Sequence, residues 1–265
     1  MNVTTGLISG LGVLAIGFTS VASAVTVTQN FDTAPANWIG VNNTSSGNNF
    51  GWSNTNNAGG TAGEAGGLFD RNGLFAYYAD TSLGGDFNGT MDFAFSGRIE
   101  IQNINANSTV RVGYFDTSAG TNPTFLGISI SEPSGGSGGT GFRVFAGGRR
   151  DVGTEQGGGI LFNTGSPPPR IVDGREYLFS VTKTGTALSV VFTDTTDSST
   201  STSSVTLSGT YTGMDAFGIM QPVESDAAAQ LRVFIDNLEY TVVPEPASLG
   251  LLSLGGLLAL RRRRA

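Results

Sequence analysis

Met91-Asp92-Phe93-Ala94-Phe95-Ser96-Gly97-Arg98-Ile99-Glu100-Ile101 carries the strongest structural signal in this chain of 265 residues. Its large apolar side chains share one parity: Met91, Phe93, Phe95, Ile99 and Ile101. Its polar side chains share the other: Asp92, Ser96, Arg98 and Glu100. Because successive side chains point to opposite faces of a strand, this alternation predicts a β-strand with one face in a core and the other in water.

Alternation of the same kind recurs on both sides of this stretch. It predicts further strands near residues 25–28, 74–78, 109–115, 126–130, 142–144, 177–181, 188–192, 205–207, 217–219 and 231–242. The Lys-Thr-Gly-Thr segment at 183–186 predicts that two of them form a β-hairpin. We expect residues 193–204 to be a polar loop, and residues 41–67 to be a long loop or weak strands.

The last predicted strand changes its inward parity part of the way along. Its apolar residues are odd-numbered up to Ile235 and even-numbered from Leu238 onward. One extra residue at Asp236-Asn237 would re-phase the strand, so the sequence predicts a β-bulge there.

The composition favours an all-β fold. Glycine accounts for 40 residues, and serine, threonine and asparagine are also abundant, all of which weaken helix interiors. No period of 20–50 residues repeats, which argues against a solenoid or a propeller. We therefore predict a two-sheet antiparallel β-sandwich over residues 25–243.

The later predicted strands resemble those of concanavalin A-like lectin and glucanase jelly rolls. The resemblance covers about the last third of the sandwich and rests on residues 176–181, 185–192, 216–219 and 233–238. It implies a jelly-roll fold. Since this fold carries lectins, hydrolases and scaffolds, the resemblance implies no single activity.

The first 24 residues have the features of a secretory signal peptide. Residues 7–21 are apolar and predict a signal helix, and Ala22-Ser23-Ala24 is a small-x-small cleavage site. Residues 1–5 contain no lysine or arginine, which departs from the usual pattern. We expect export through the Sec translocon, with a mature chain that begins at Val25.

The C-terminal residues 244–265 have the features of a second targeting segment. Pro244-Glu245-Pro246 is followed by an apolar helix over residues 247–260 and by Arg261-Arg262-Arg263-Arg264. A helix of that length spans about 21 Å, against about 30 Å of hydrocarbon in a bilayer. A plain tail anchor and a packed terminal helix are the alternatives. The arrangement closely resembles the PEP-CTERM sorting signal of exosortase substrates. It implies a chain held briefly in the inner membrane, processed near Pro244 and delivered to the cell surface or matrix.

Two residue types that are common in catalytic sites, histidine and cysteine, are missing from the chain. It has no histidine and no cysteine, which excludes Ser-His-Asp and Cys-His catalysis and thiolate metal sites. The E-x-D-x-x-E motif of jelly-roll glycosidases fails, because Glu224-Ser225-Asp226 is followed by Ala229 at the last position. Residues 25–243 hold 10 of the Lys and Arg residues and 20 of the Asp and Glu residues. Their net charge is therefore −10, which disfavours nucleic acid as a partner.

Aromatic residues beside amides and acids are the candidates for sugar binding. A lectin site combines an aromatic platform with fixed polar groups. The candidates are Trp38, Trp52, Tyr77, Tyr78 and Asp80. Alternatively, both tryptophans plug the ends of the sandwich. If Tyr77 and Tyr78 lie in a strand, they face opposite ways.

The acidic sandwich also offers hard oxygen ligands for a structural calcium ion. Asp236 at the predicted bulge and Asp32 near the first strand are the candidates, provided that the first strand lies beside the last. The alternative is that Asp236 and Asn237 satisfy local backbone groups. No other cofactor is expected.

Three hypotheses for the function follow from the sequence. The first is a secreted, non-catalytic matrix protein that binds exopolysaccharide. The second is a glycoside hydrolase or polysaccharide lyase that uses only carboxylates and tyrosine. The third is a purely structural coat protein.

Overall fold

Strands make up all the regular secondary structure in the part of the chain that the computed structural model describes. That part comprises residues 25–44, 48–70, 73–83, 87–105, 109–118, 120–121, 123–131, 142–150, 155–159, 161–162, 171–223 and 230–242. It belongs to one compact unit, Ser23–Glu245. The strands are β1 Val25–Gln29, β2 Trp38–Val41, β3 Asn49–Ser53, β4 Glu64–Asp70, β5 Ala76–Asp80, β6 Phe93–Asn105, β7 Val110–Phe115, β8 Phe125–Ser131, β9 Arg143–Arg149, β10 Glu155–Gly157, β11 Leu161–Phe162, β12 Glu176–Thr184, β13 Ala187–Asp194, β14 Thr200–Thr206, β15 Ala216–Gln221 and β16 Gln230–Val242.

These strands form two antiparallel sheets of eight strands each. Sheet A has the order β14-β13-β12-β6-β16-β4-β3, with β1 added along β16. Sheet B has the order β10-β9-β8-β7-β15-β5-β2, with β11 added along β9. The prediction of an all-β, two-sheet antiparallel sandwich is confirmed for the described residues.

Strand β6, which contains the strongest sequence alternation, lies near the middle of sheet A between β12 and β16. Phe95, Ile99 and Ile101 on its inward face are almost completely buried, as the parity predicts. The bulge in β16 is also confirmed, because the register with β6 shifts between Asp236 and Glu239. Asn237 adopts a φ of 49°, a left-handed conformation that asparagine tolerates better than most residues.

The main core lies between the two sheets and is rich in stacked aromatic rings. Phe217 stacks on Tyr240 with ring centroids 4.1 Å apart, and Phe87 stacks on Tyr114 at 4.0 Å. A second apolar cluster lies on the face of sheet B that points away from sheet A, which we call the outer face. This cluster comprises Phe75, Tyr77, Ala79, Phe115, Phe125, Ala216 and Met220.

The expectation of a polar loop at residues 193–204 is wrong over its second half, where β14 pairs with β13. The alternation of apolar residues does not reveal this part of the strand, because one of its inward residues is the polar Ser203. Ser203 is 1% exposed. The Ser203 hydroxyl accepts a hydrogen bond of 2.8 Å from the Ala146 backbone N–H, so a polar side chain replaces an apolar one.

Several predicted segments lie outside the described residues. They are the signal segment with Ala22 and Ala24, the tail with Pro244, Glu245, Pro246 and Arg261 to Arg264, and the residues around Glu224. Among the described residues, no helix is long and apolar enough to cross a membrane.

Candidate functional site

An open depression of about 550 Å³ surrounds β3, the edge strand of sheet A. It draws on both sheets, because Tyr78 comes from β5 in sheet B. Its lining residues are Asn43, Thr44, Asn49, Phe50, Gly51, Trp52, Ser53, Thr55, Asn57, Gly66, Gly67, Tyr78, Gln102, Arg232 and Phe234.

The connection from β2 to β3 builds one wall of the depression. The Asn43 side-chain amide donates to the Phe50 carbonyl oxygen at 2.6 Å, and the Phe50 N–H donates to the Asn43 carbonyl at 3.1 Å. Thr44 and Asn49 form an isolated antiparallel bridge beside them. These bonds fix the chain where it passes from one sheet to the other.

Two consecutive glycines of β4 permit the close approach of its neighbouring strands. Gly66 has a φ of 144°, and a β-carbon there would lie 2.1 Å from the Val233 carbonyl oxygen. Gly67 has a φ of 138°, and its β-carbon would lie 2.3 Å from the Asn49 carbonyl oxygen. Only glycine fits both positions, so this wall of the depression is bare backbone.

Trp52 is the exposed aromatic residue of the depression. Its side chain is 37% exposed, whereas most aromatic residues of the described part are buried. The indole Nε1–H donates to the Phe31 carbonyl oxygen at 2.8 Å, which holds the ring in one orientation. A fixed, half-open indole is a suitable platform for the apolar face of a sugar ring.

The polar lining is made of amides and hydroxyls. Its side chains are Asn43, Asn49, Asn57, Gln102, Thr44, Ser53 and Thr55, with Arg232 as the charged member. No aspartate or glutamate is among the described lining residues. Amides and hydroxyls can both donate to and accept from sugar hydroxyl groups. The depression can therefore bind a polyhydroxylated ligand, but it offers no carboxylate for acid or base catalysis.

The structure brings together two of the five predicted sugar-binding residues, Trp52 and Tyr78. Burial raises the pKa of the Tyr78 phenol to about 12, so this hydroxyl stays protonated in neutral solution. Tyr77 faces the opposite way, in the cluster on the outer face of sheet B. Trp38 lies in the main core, and Asp80, 1% exposed, accepts a hydrogen bond from the Tyr240 hydroxyl.

Sequence reasoning did not identify Gln102, Arg232 and Phe234 as members of the site. Gln102 and Arg232 are register partners on neighbouring strands, but they are separated along the chain. The alternation of β6 places Gln102 on the same face as Arg98 and Glu100. This was the only feature of the sequence that could have indicated Gln102 as a member of the site.

Strand β1 pairs with β16, which is the condition set for a site at Asp32 and Asp236, and the two carboxylates are close enough to interact electrostatically. Burial raises the pKa of Asp236 to about 6, and the negative charges of Glu64 and Asp32 add to this effect. A hydrogen bond from the Asn237 N–H and the charge of Arg98 oppose it.

The carboxylates around Asp236 are largely engaged in hydrogen bonds. Asp32 accepts one from Thr61 at 2.8 Å, and Glu64 accepts hydrogen bonds from Thr55, Asn57 and Ala58. Asp236 Oδ2 is buried without a hydrogen-bond partner. Within the described ranges, no group of three acidic, histidine or cysteine residues is placed to hold a metal ion. Calcium takes six to eight oxygens, so calcium at Asp32 and Asp236 stays a prediction.

Comparison with known proteins bears on the tail and on the fold. A family model described as the PEP-CTERM protein-sorting motif matches residues 242–264. No curated protein matches the chain.

The solved structures that resemble this chain include plant lectins and an alginate lyase. Basic winged bean lectin, solved with Tn-antigen, is 7% identical with a TM-score of 0.52, covering 84% of this chain and all of the lectin. Peanut lectin with a 9mer peptide is 13% identical with a TM-score of 0.46, covering 83% of this chain and 97% of that one. The alginate lyase from Klebsiella pneumoniae is 13% identical with a TM-score of 0.36, covering 58% and 61%. At such identities the likeness to winged bean lectin concerns the fold alone. The chain thus carries a PEP-CTERM sorting motif behind a β-sandwich with the fold of the legume lectins.

Proposed function

We propose that the protein is an exported, exosortase-processed surface or matrix protein that binds exopolysaccharide, without cleaving it, in the depression around Trp52. The observation that carries this proposal is the position of Trp52, half-open to solvent yet fixed by its hydrogen bond to Phe31. The sorting motif at residues 242–264 supports export and a transient stay in the inner membrane.

The chemistry of the lining supports a carbohydrate rather than an apolar ligand. A sugar ring has an apolar face, which can stack on the Trp52 indole, and hydroxyl groups at its edge. Asn49 and Gln102 supply amides at the rim, and Arg232 supplies a cation that can bind ring hydroxyls or an acidic substituent. The open shape suits a polymer, because a polysaccharide chain can extend beyond the depression into solvent.

Binding without cleavage is favoured over hydrolysis by what lines the depression. Glycoside hydrolases use two carboxyl groups about 5–10 Å apart. None of the described lining residues is acidic, and the whole sequence has no histidine. Analysis of the polysaccharide products after incubation with the protein tests this conclusion directly.

The binding test compares two exposed apolar residues of sheet A, Trp52 and Leu178. The full-length chain, Trp52→Ala and Leu178→Ala are measured by affinity electrophoresis in gels that contain the exopolysaccharide of the producing cell. Trp52→Ala should weaken binding about fivefold to thirtyfold, because stacking on an aromatic ring contributes about 1–2 kcal/mol. Leu178→Ala should bind as the parent chain does.

Two results would contradict the proposal. If the parent chain shows no retardation in any polysaccharide gel, the structural coat hypothesis is favoured. If shortened sugar chains accumulate in the presence of the protein, the protein is an enzyme and the non-catalytic reading is wrong.

A further inference from the structure

Glycines lie in register across five strands on the outer face of sheet B. They pair directly from strand to strand, in the order Gly218 of β15, Gly113 of β7, Gly127 of β8, Gly147 of β9 and Gly157 of β10. Larger residues stand on both sides of this row, with Arg111 and Ser129 on one side and Phe125 and Arg149 on the other. Because this row has no side chains of its own, the side chains of flanking residues can lie over it, and we call the row the glycine groove.

The Arg111 side chain extends across the glycine groove. Its Nη2 donates to Glu155 Oε2 at 2.7 Å, although Arg111 is on β7 and Glu155 is on β10. Three strand spacings of about 4.8 Å separate these two strands, so their side chains meet above β8 and β9. A β-carbon at Gly147 would lie 2.9 Å from Ser129 Cβ and 3.3 Å from Glu155 Oε1, which explains why this position has no side chain.

Arg111 is almost completely buried, at 3% exposure, and two of its nitrogens lack partners. Nε and Nη1 form no hydrogen bond, and the guanidinium carbon lies 5.4 Å from the centre of the Phe125 ring. Buried N–H groups without acceptors are costly, and those of a cation most of all.

The groove also carries more positive than negative charge. Arg149 is the direct cross-strand neighbour of Glu155, and its Nε is buried without a partner. Both Glu155 oxygens are engaged, Oε2 by Arg111 and Oε1 by the Ser129 hydroxyl at 2.7 Å. Burial and the charge of Arg111 lower the pKa of Arg149, whereas Glu155 raises it. Among the described residues of the groove, one carboxylate therefore lies beside two guanidinium groups.

We propose that the glycine groove binds a carboxylate or sulfate group, which accepts hydrogen bonds from the free N–H groups of Arg111 and Arg149. Such a group supplies the missing negative charge and the missing acceptors together. It is carried either by an acidic sugar within a polymer or by a small free anion. Access is from the β10 side, where the Glu155 side chain is 25% exposed and Arg149 is half-buried. This site is separate from the Trp52 depression, and the inference does not rest on the proposed function.

The test is isothermal titration of the full-length chain with four probes: polygalacturonate, galacturonic acid, sodium sulfate and neutral dextran. The first variant is Arg149→Gln, which removes one guanidinium group at a half-buried position. The second is Arg111→Lys, which keeps the positive charge but removes the planar set of guanidinium N–H donors. Arg98→Gln, on strand β6 of sheet A and outside the Trp52 depression, is the matched control for loss of one arginine. We expect an anionic probe to bind and dextran not to bind at this groove. Arg149→Gln and Arg111→Lys should each weaken anion binding about tenfold or more, and Arg98→Gln should leave it unchanged.

The probes also distinguish the two carriers of the anionic group. Binding of polygalacturonate alone identifies an acidic polymer, while equal binding of sulfate or galacturonic acid identifies a small anion. The proposal is overturned if no anionic probe binds, or if Arg149→Gln leaves the affinity unchanged. Should Arg111→Lys fail to fold, the Arg149→Gln comparison decides the question on its own. Loss of polysaccharide binding in Trp52→Ala has no bearing on this result.

Discussion

The Trp52 indole nitrogen donates a hydrogen bond of 2.8 Å to the Phe31 carbonyl oxygen, which joins the edge of sheet A to the segment that follows β1. Phe31 is fully buried and has a φ of 52°, a conformation that is costly for a bulky residue. Its ring meets that of Trp38 edge-on, with centroids 4.9 Å apart. The exposed ring of the candidate site is therefore held in place by a strained residue of the core.

Replacing Trp52 by phenylalanine separates the two roles of the indole. Trp52→Phe keeps an aromatic face but loses the hydrogen bond to Phe31. The phenylalanine ring can therefore adopt more orientations, and binding must pay the entropy of fixing one of them. We expect a loss of polysaccharide affinity of about threefold to tenfold, smaller than that of Trp52→Ala. Affinity electrophoresis of the three chains measures this order. Equal losses in both variants would contradict the stacking role of the ring.

Gly66 provides a test of the bare-backbone wall. Gly66→Ala places a β-carbon 2.1 Å from the Val233 carbonyl oxygen and adds strain at a φ of 144°. We expect a loss of about 3 kcal/mol or more in the free energy of unfolding, or no folded protein. Gly159→Ala is the control, because nothing lies within 4 Å of the added carbon and its φ is not in the positive range. Urea unfolding followed by tryptophan fluorescence compares the two.

The central strands could be predicted from sequence because apolar and polar residues alternate along them. The alternation shows which side chains face the core and which face solvent. The alternation around Phe95 and the parity switch at Asp236 are local patterns, and the structure confirms both. Only the end of strand β14 was predicted, at residues 205–207, because a buried hydroxyl, Ser203, takes the place of an apolar residue earlier in the strand. That exchange depends on a partner 57 residues away, which no local pattern reveals.

The candidate site was only partly predictable for the same reason. Trp38 and Trp52 look alike in sequence, each beside an asparagine or a serine, and only the packing of Phe31 and Tyr78 decides which is buried. The depression itself joins β3, β6 and β16, whose residues approach one another through sheet pairing rather than through sequence proximity.

The Asp80 carboxylate and the Tyr240 hydroxyl form a buried hydrogen bond between the sheets. Asp80 Oδ1 has other donors, the Ser82 N–H at 2.9 Å and the Ser82 hydroxyl at 2.6 Å, whereas Oδ2 accepts from Tyr240. Tyr240→Phe removes that donor and leaves a carboxylate oxygen buried. We expect a loss of about 2–3 kcal/mol in the free energy of unfolding.

The pair can be separated from general packing loss by a double-mutant cycle. Asp80→Asn combined with Tyr240→Phe should cost less than the sum of the single changes, because the second change removes a group that the first has already left unpaired. Strict additivity in urea unfolding would show that the hydrogen bond contributes nothing of its own.

Asp236 makes the stability of the fold depend on pH. Its pKa is raised to about 6 by burial, whereas an aspartate in an unfolded chain has a pKa of about 3.9. The native state therefore favours the protonated form, so this residue's contribution to stability is full below pH 4 and is lost as the pH rises through 6. Asp236→Asn should raise the free energy of unfolding at pH 7.5 by about 1–2 kcal/mol and have little effect at pH 4.

Denaturant unfolding at pH 4.0, 5.5 and 7.5 measures this difference, with Glu239→Gln as the control. Glu239 is an exposed carboxylate on the same strand, so its neutralisation changes the net charge equally without relieving burial. Its stability should follow that of the parent chain at every pH. A calcium titration at pH 7.5 adds a second readout, since calcium bound at Asp236 would stabilise the parent chain and not Asp236→Asn. If Asp236→Asn is instead less stable than the parent at pH 7.5 without calcium, the ionised carboxylate makes a favourable contact. The account of Asp236 as a buried acid with one oxygen lacking a hydrogen-bond partner is then wrong.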